Sequence, residues 1–202
     1  MLTAPNIGSL ELREAPGGAV RFRGKFPYNK LATISDGGRN GGRPRKEQFA
    51  SRAFSFAVDD PEQDIHFLSG HRFDKPLASR KAGTLEFEDT DTELRMEALL
   101  TPDAQQASWV QDFLAAYRAG LVLGLSPGFR IPPQQTVPNA EKVEEEDPNL
   151  GRALIRTIFA AVLFEISAVT RAAYEDAEVE EVRNWTPDKP RLIRPPAMRW
   201  RA

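Results

Sequence analysis

The chain contains no cysteine and only two histidines, which limits the chemistry that its side chains can perform. Without cysteine there is no disulfide, no thiolate nucleophile and no cysteine-ligated zinc. Two imidazoles also exclude a metal site built from three histidines. Because the sequence shows no phosphate-binding or metal-binding motif either, we expect no cofactor and no metal.

Long apolar runs and a strong net charge are also missing. No run reaches about eighteen apolar residues, and the opening MLTAPNIGSLELREAP lacks the basic and apolar regions of a secretory signal, so we expect no membrane segment and a cytoplasmic protein. The formal net charge is −2, whereas nucleic-acid binding needs a clustered basic surface, so no nucleic acid is expected. The chain has 202 residues, of which 41% are hydrophobic and 28% charged. This length and composition predict one globular domain with a hydrophobic core.

Charged residues are distributed unevenly along the chain. The stretch RNGGRPRK at 39–46 is basic, and EKVEEED at 141–147 is acidic and follows the proline-rich IPPQQTVP. Both stretches predict flexible surface loops, at about 36–46 and 131–150. The basic loop either contacts an acidic partner or is simply solvated.

The same reasoning divides the chain into three parts. We expect an N-terminal segment at 1–18, a folded domain at 19–182 and an extended tail rich in proline and arginine at 183–202.

Alternation of apolar and polar residues predicts a mainly β, α+β fold. The predicted strands lie at about 19–26, 52–58, 64–69, 121–130 and 153–170, with a hairpin of GTLEFE and ELRMEALL around the turn DTDT. One amphipathic helix is predicted to begin after Thr101 and to end at Gly120, with Val110, Leu114 and Tyr117 on its buried face.

The stretch GLSPGF at 124–129 places Ser126 in the pattern G-x-S-x-G. This pattern is typical of the nucleophile elbow of α/β-hydrolases, in which the catalytic histidine follows the serine along the chain. No histidine follows residue 71, so the elbow is excluded. On the pattern alone, Ser126 is either a nucleophile or a turn residue.

A serine nucleophile needs a base, and imidazole is the usual one because its pKa of about 6.5 leaves it largely neutral at working pH. His66 lies inside the apolar alternation DIHFL, which favours a structural role on a strand. His71 follows Gly70 beyond the predicted strand, in a loop-like setting where catalytic groups are commonly presented. His71 is therefore the preferred base.

Three blocks of the sequence carry a family resemblance. They are GHRFDKPLASRKAGTLEFE, GLVLGLSPGF and LFEISAVTRAAYEDAEV, with the amphipathic helix between the first and the second. In order and approximate spacing they resemble the prohead proteases of tailed bacteriophages, which are capsid-maturation serine proteases related in fold to the herpesvirus assembly protease. The resemblance covers roughly residues 20–180. It implies a herpesvirus-protease-like β-barrel of mostly antiparallel strands surrounded by helices.

The resemblance also implies roles for individual residues. His71 takes the place of the catalytic histidine and Ser126 that of the nucleophile. Glu165, in FEIS, stands where the herpesvirus relatives have a second histidine; it either orients the His71 imidazole or is an outward-facing strand residue. Arg171, in VTRAAY, either supplies a backbone N–H to an oxyanion hole or is a surface arginine that closes a strand.

The implied function is that of a serine endopeptidase acting inside the assembling prohead, in the host cytoplasm. Its expected partners are the major capsid protein and the scaffold or scaffold-like extension of that protein, and the protease is expected to cleave itself as well. Dimerisation activates the herpesvirus relatives, so a homodimer is one possible state of this protein. Two alternatives remain: a non-catalytic scaffold or capsid-binding β-domain of the same fold, and an esterase built on the same residues.

Overall fold

The computed structural model describes residues 9–14, 16–38, 41–122 and 124–170. These residues form twelve strands and two α-helices. The strands are Ser9–Glu14 (β1), Val20–Pro27 (β2), Ala32–Ser35 (β3), Arg45–Phe49 (β4), His66–Ser69 (β5), Arg72–Ser79 (β6), Leu85–Asp89 (β7), Glu93–Leu100 (β8), Gly124–Arg130 (β9), Glu141–Glu145 (β10), Leu154–Ile158 (β11) and Val162–Val169 (β12). The helices are Ser55–Val58 (α1) and Ser108–Arg118 (α2), and 3-10 turns lie at Pro16–Gly18 and Ala104–Gln106. None of the helices within these ranges is long and apolar enough to cross a membrane.

The strands assemble into three four-stranded sheets, in the orders β1-β2-β8-β7, β10-β11-β4-β3 and β6-β5-β12-β9. Neighbouring strands are antiparallel except in the pairs β11–β4 and β12–β5, which are parallel. The prediction of a mainly β, largely antiparallel fold is thus confirmed. The closed barrel implied by the resemblance is not found among the described residues, because strands β6 and β9 end their sheet instead of pairing with strands of the other two.

Alternation along β2 builds the centre of the core. Phe22 is fully buried, and its ring centroid lies 6.1 Å from that of Phe67 on β5 and 5.3 Å from that of Phe113 on α2. Gly24 follows on the same face, where a Cβ atom would lie 2.5 Å from Leu125 Cδ1. The missing side chain lets β9 pack directly on β2, which fixes the strand that carries Ser126.

Helix α2 begins later than the sequence predicts. The Thr101 hydroxyl accepts a hydrogen bond from the Ala104 N–H at 3.2 Å, so it bonds to the first residue of the 3-10 turn and not to the α-helix. The predicted end is confirmed, since Gly120 adopts a φ of 71° just after the helix. The Trp109 indole N–H donates to the Pro76 carbonyl at 2.9 Å, which ties α2 to β6.

One predicted strand is wrong, one is divided in the structure, and a further strand was not predicted. The stretch predicted as a strand at 52–58 is a turn followed by α1, because its buried residues Phe54, Ala57 and Val58 recur at helical spacing. The stretch at 153–170 is two strands, since the backbone leaves the ladder where the Phe159 and Ala160 N–H groups both donate to Ala140. Strand β6, which follows His71, was not predicted from the sequence.

The two charged stretches expected to be flexible loops bond to each other. Arg43 donates to Glu145 at 2.7 Å, and Lys46 forms an ion pair with Glu146. Strands β4 and β10 belong to one sheet, in which β11 lies between them and pairs with both. The acidic partner of the basic stretch is therefore part of the same chain. The predicted tail at 183–202 lies outside the described residues.

The aromatic centre of the core yields a stability prediction. Replacing Phe22 by alanine should lower the free energy of unfolding by about 3–5 kcal/mol, since it removes a fully buried ring and leaves a cavity. Phe73 is 62% exposed, so Phe73→Ala should change it by less than about 0.5 kcal/mol. Urea denaturation followed by circular dichroism measures both. Equal losses for the two variants would contradict this description of the core.

Candidate active site

His71 lies in a tight turn between β5 and β6. Ser69 pairs with Arg72 across the hairpin, which leaves Gly70 and His71 as the two turn residues. Both have positive φ, 64° and 60°, as a type I′ turn requires. Histidine is among the residues that adopt this conformation more readily than most. The predicted loop setting of His71 is therefore a hairpin turn with a defined backbone.

Strand β12 anchors this turn by two hydrogen bonds. The Gly70 N–H donates to the Ala168 carbonyl at 3.0 Å, which continues the parallel pairing of β5 with β12. The His71 N–H donates to the Ser167 hydroxyl oxygen at 2.9 Å. The backbone of the turn is thus fixed against the strand that carries Glu165.

The His71 side chain bonds to the same strand. Its Nδ1 lies 2.7 Å from Glu165 Oε1, and the imidazole is 43% exposed whereas the glutamate side chain is 5% exposed. An ionised carboxylate only accepts hydrogen bonds, so Nδ1 carries the hydrogen and Nε2 keeps its lone pair. The exposed imidazole therefore has a free basic nitrogen.

Ser167 bonds to the second carboxylate oxygen of Glu165, and Gly128 leaves space for the carboxylate. The Ser167 hydroxyl donates to Glu165 Oε2 at 2.6 Å. On β9, Gly128 pairs with Glu165, and a Cβ atom at position 128 would collide with Glu165 Oε1 and lie 2.7 Å from Glu165 Cδ. The second glycine of GLSPGF thus leaves room for the carboxylate.

Ser126 lies beside this group on the neighbouring strand. It is directly opposite Ser167, two residues from Gly128 along β9, so its side chain is on the face of the sheet that carries Glu165. The Cα atoms of directly opposed residues lie about 4.5–5.5 Å apart. Ser126 is 9% exposed, and its hydroxyl makes no hydrogen bond within the described part of the chain. Catalytic hydrogen bonds are often loose before substrate binds.

The pKa of His71 is raised above its ordinary value by the hydrogen bond to Glu165. Partial burial of the imidazole opposes this effect, and the negative charge of Glu165 adds to it. A base with a raised pKa stabilises the folded state at low pH, and this contribution disappears as the pH rises through the folded pKa. The carboxylate therefore favours the protonated imidazole, the state that follows acceptance of a proton.

His66, the other histidine considered from the sequence, lies beside a different carboxylate. His66 is opposite Glu165 on β5, but its Nε2 lies 3.4 Å from Asp64 and its ring is beside Phe73. Arg171 lies outside the described residues. No group of three or more histidine, aspartate or glutamate side chains within the described ranges is placed to hold a metal ion.

Two residues of the site were not identified from the sequence, namely Ser167 and Gly128. Ser167 is two positions after Glu165 in FEIS, a spacing that puts both side chains on one face of a strand. The sequence therefore indicated Ser167 only through this spacing. It indicated Gly128 only through the presence of a glycine in GLSPGF, and the role of Gly128 depends on the register of β9 with β12.

A serine, an imidazole and a carboxylate are the side chains that serine hydrolases use, and here they lie on neighbouring strands and a turn of one sheet. The model of the caudovirus prohead serine protease family matches residues 28–188, and the chain belongs to this family. The resemblance inferred from the sequence is thereby confirmed. No curated protein and no solved structure matches the chain.

The hydrogen bond between His71 and Glu165 can be tested by titration. Glu165→Gln should move the pKa of His71 down, since it removes the charged acceptor that raises it. NMR titration of the imidazole protons measures the shift, and a chain with two histidines gives only two sets of signals. Asp64→Asn, at the partner of His66, is the matched control. An unchanged His71 titration in Glu165→Gln would contradict the geometry.

The space at Gly128 can be tested in the same way. In Gly128→Ala the new methyl group should displace the carboxylate from His71, because it would collide with the oxygen that the imidazole bonds. The pKa of His71 should then move down, as in Glu165→Gln, because the carboxylate that raises it no longer bonds the imidazole. NMR titration of His71 and far-ultraviolet circular dichroism check the pKa and the folding together. A folded Gly128→Ala variant with an unchanged His71 pKa would refute the steric argument.

Proposed function

We propose that this protein is a serine endopeptidase of prohead maturation, with Ser126 as nucleophile, His71 as general base and Glu165 as the group that orients the imidazole. The observation that carries the proposal is the 2.7 Å hydrogen bond from His71 Nδ1 to buried Glu165, on the strand that pairs with the one bearing Ser126. Membership of the prohead serine protease family supports the reaction class.

The reaction begins at the Ser126 hydroxyl. Its oxygen attacks the scissile peptide carbonyl while its proton passes to Nε2 of His71, the nitrogen that the hydrogen bond to Glu165 leaves free. The imidazolium then gives this proton to the leaving amine, and an acyl-enzyme remains. A water molecule attacks the acyl-enzyme with His71 again as base, and the peptide acid is released.

Glu165 contributes through its charge and its fixed position. At 4% exposure, its interaction with the imidazolium is screened by water less than it would be at the surface. Because the carboxylate raises the pKa of His71, the active neutral imidazole predominates only above that raised value. Activity should therefore fall on the acidic side at a higher pH than an unperturbed histidine would give.

The oxyanion of the tetrahedral intermediate needs hydrogen-bond donors as well. We assign one donor to the backbone N–H of Arg171, by the resemblance to the herpesvirus enzymes. Arg171 follows β12 by two residues, close in sequence to Glu165 and Ser167.

The proposed substrates are the scaffold or the scaffold-like extension of the major capsid protein, and the protease chain itself. The family name gives the prohead as the place of action, and we propose that cleavage occurs inside the assembling shell in the host cell. Preference for peptide over ester bonds is inferred from the family. We also propose, from the family resemblance, that the fold is related to that of the herpesvirus assembly protease and that homodimerisation activates the protein.

The nucleophile is tested by Ser126→Ala. The unmodified protein should trim itself or the capsid precursor, and it should gain the mass of one fluorophosphonate probe. The alanine variant should do neither, with cleavage reduced at least about 1,000-fold because no other group forms the acyl-enzyme. Intact-mass spectrometry measures both effects, and Ser108→Ala on α2 is the matched control.

Two results would contradict the proposal. Cleavage by Ser126→Ala at the rate of the unmodified protein would exclude Ser126 as the nucleophile. A precursor that stays whole with the unmodified protein, but is cleaved in its native system, would favour the non-catalytic capsid-binding domain.

A further inference from the structure

Ser167 is fully buried, and its hydroxyl joins both of the groups that define the candidate site. The hydroxyl oxygen accepts from the His71 backbone N–H at 2.9 Å, and the hydroxyl hydrogen is donated to Glu165 Oε2 at 2.6 Å. A backbone N–H can only donate and an ionised carboxylate can only accept. The neighbours of Ser167 therefore determine the direction of both hydrogen bonds.

These contacts close a ring of hydrogen bonds around the base. The His71 backbone bonds to the Ser167 hydroxyl, the hydroxyl bonds to one oxygen of Glu165, and the other oxygen bonds to the His71 imidazole. The imidazole is thus linked to β12 through its backbone and through its ring. Neither the histidine nor the carboxylate can rotate without breaking a hydrogen bond of this ring.

We propose that Ser167 is a positioning residue that holds the His71 imidazole and the Glu165 carboxylate in the geometry required for proton transfer. The inference rests on the proposed function of these two residues. Ser167 itself does not touch the reacting atoms; it acts through the two groups to which it bonds.

The rest of the turn is expected to survive the loss of this hydroxyl. The Gly70 N–H still donates to Ala168, and the β5–β12 ladder is independent of the Ser167 side chain. What Ser167→Ala removes is the second anchor of the turn and the donor to Oε2. The imidazole and the carboxylate then gain freedom to rotate while the sheet remains paired.

A second set of charges next to the turn does not replace this arrangement. Along β6, Arg72 and Asp74 bond to each other at 2.7 Å, and both are largely exposed. Glu165 is the charged group that shifts the His71 titration. The pKa of His71 therefore reports how well Glu165 is held against it.

The test compares Ser167→Ala with Ser167→Thr, which keeps the hydroxyl. Ser167→Ala should lower kcat about 10- to 100-fold with KM within about 2-fold, since the substrate contacts are unchanged but the base is misplaced. The His71 pKa measured by NMR should move down, in the direction expected for Glu165→Gln but by less. Ser167→Thr should restore both values toward those of the unmodified protein.

Ser79→Ala is the matched control. Ser79 is a partly buried serine on the adjacent part of the same sheet, and its hydroxyl oxygen accepts from the Ala82 N–H at 3.2 Å. Its loss removes a comparable bond to a turn without touching His71 or Glu165. Ser79→Ala should leave kcat and the His71 titration unchanged. An effect seen only in Ser167→Ala is then specific to Ser167 and does not arise from the loss of any serine hydroxyl in this sheet.

A folded Ser167→Ala protein with unchanged kcat and His71 pKa would overturn the proposal, and so would an upward shift of that pKa. Should the alanine variant not fold, Ser167→Cys keeps the shape of the side chain with a somewhat larger atom and replaces the hydroxyl by a weak donor, and the same expectations apply. The NMR titration needs no catalysis. A lowered pKa in Ser167→Ala together with full activity of Ser126→Ala would therefore refute the nucleophile and retain the positioning role.

Discussion

The buried carboxylate of Glu165 is the constraint around which the candidate site is arranged. A carboxylate removed from water is destabilised by several kcal/mol unless donors replace its hydration. Here one oxygen bonds the His71 imidazole and the other bonds the Ser167 hydroxyl, while Gly128 leaves the space that the group occupies. The two donors replace the hydration of the Glu165 carboxylate and the glycine provides its space, and together these features orient the imidazole.

The order of strands in one sheet explains how residues distant in sequence meet this requirement. Strand β12 lies between β5 and β9. Its parallel pairing with β5 brings the turn that follows β5 to the end of β12, and its antiparallel pairing with β9 sets Ser126 opposite Ser167. The central strand, which carries Glu165, thus has the turn with His71 on one side and Ser126 on the other.

Several elements were predictable because their patterns are local. The alternation along β2, the hairpin of β7 and β8, and the Gly120 end of α2 each follow from a few neighbouring residues. Strand β6 was missed because Pro76 and shifts in its register with β5 interrupt the pattern. Strands β4 and β10 were missed because their residues are mostly charged and because their pairing with β11 joins distant segments, which leaves no periodic signal. His71 was preferred as the base from its position after Gly70, whereas the family resemblance decided the roles proposed for Ser126 and Glu165. Ser167 and Gly128 required the register of β12 with its neighbours.

Gly128, the second glycine of GLSPGF, shows why a short motif needs its structural context. In a nucleophile elbow the glycines permit a strained turn between a strand and a helix. In this chain the same letters lie within strand β9, and Gly128 is required by the side chain of the opposite residue on β12. The residue that position 128 tolerates is therefore coupled to the residue at position 165. A buried glutamate at position 165 requires a glycine at position 128, whatever the role of Ser126.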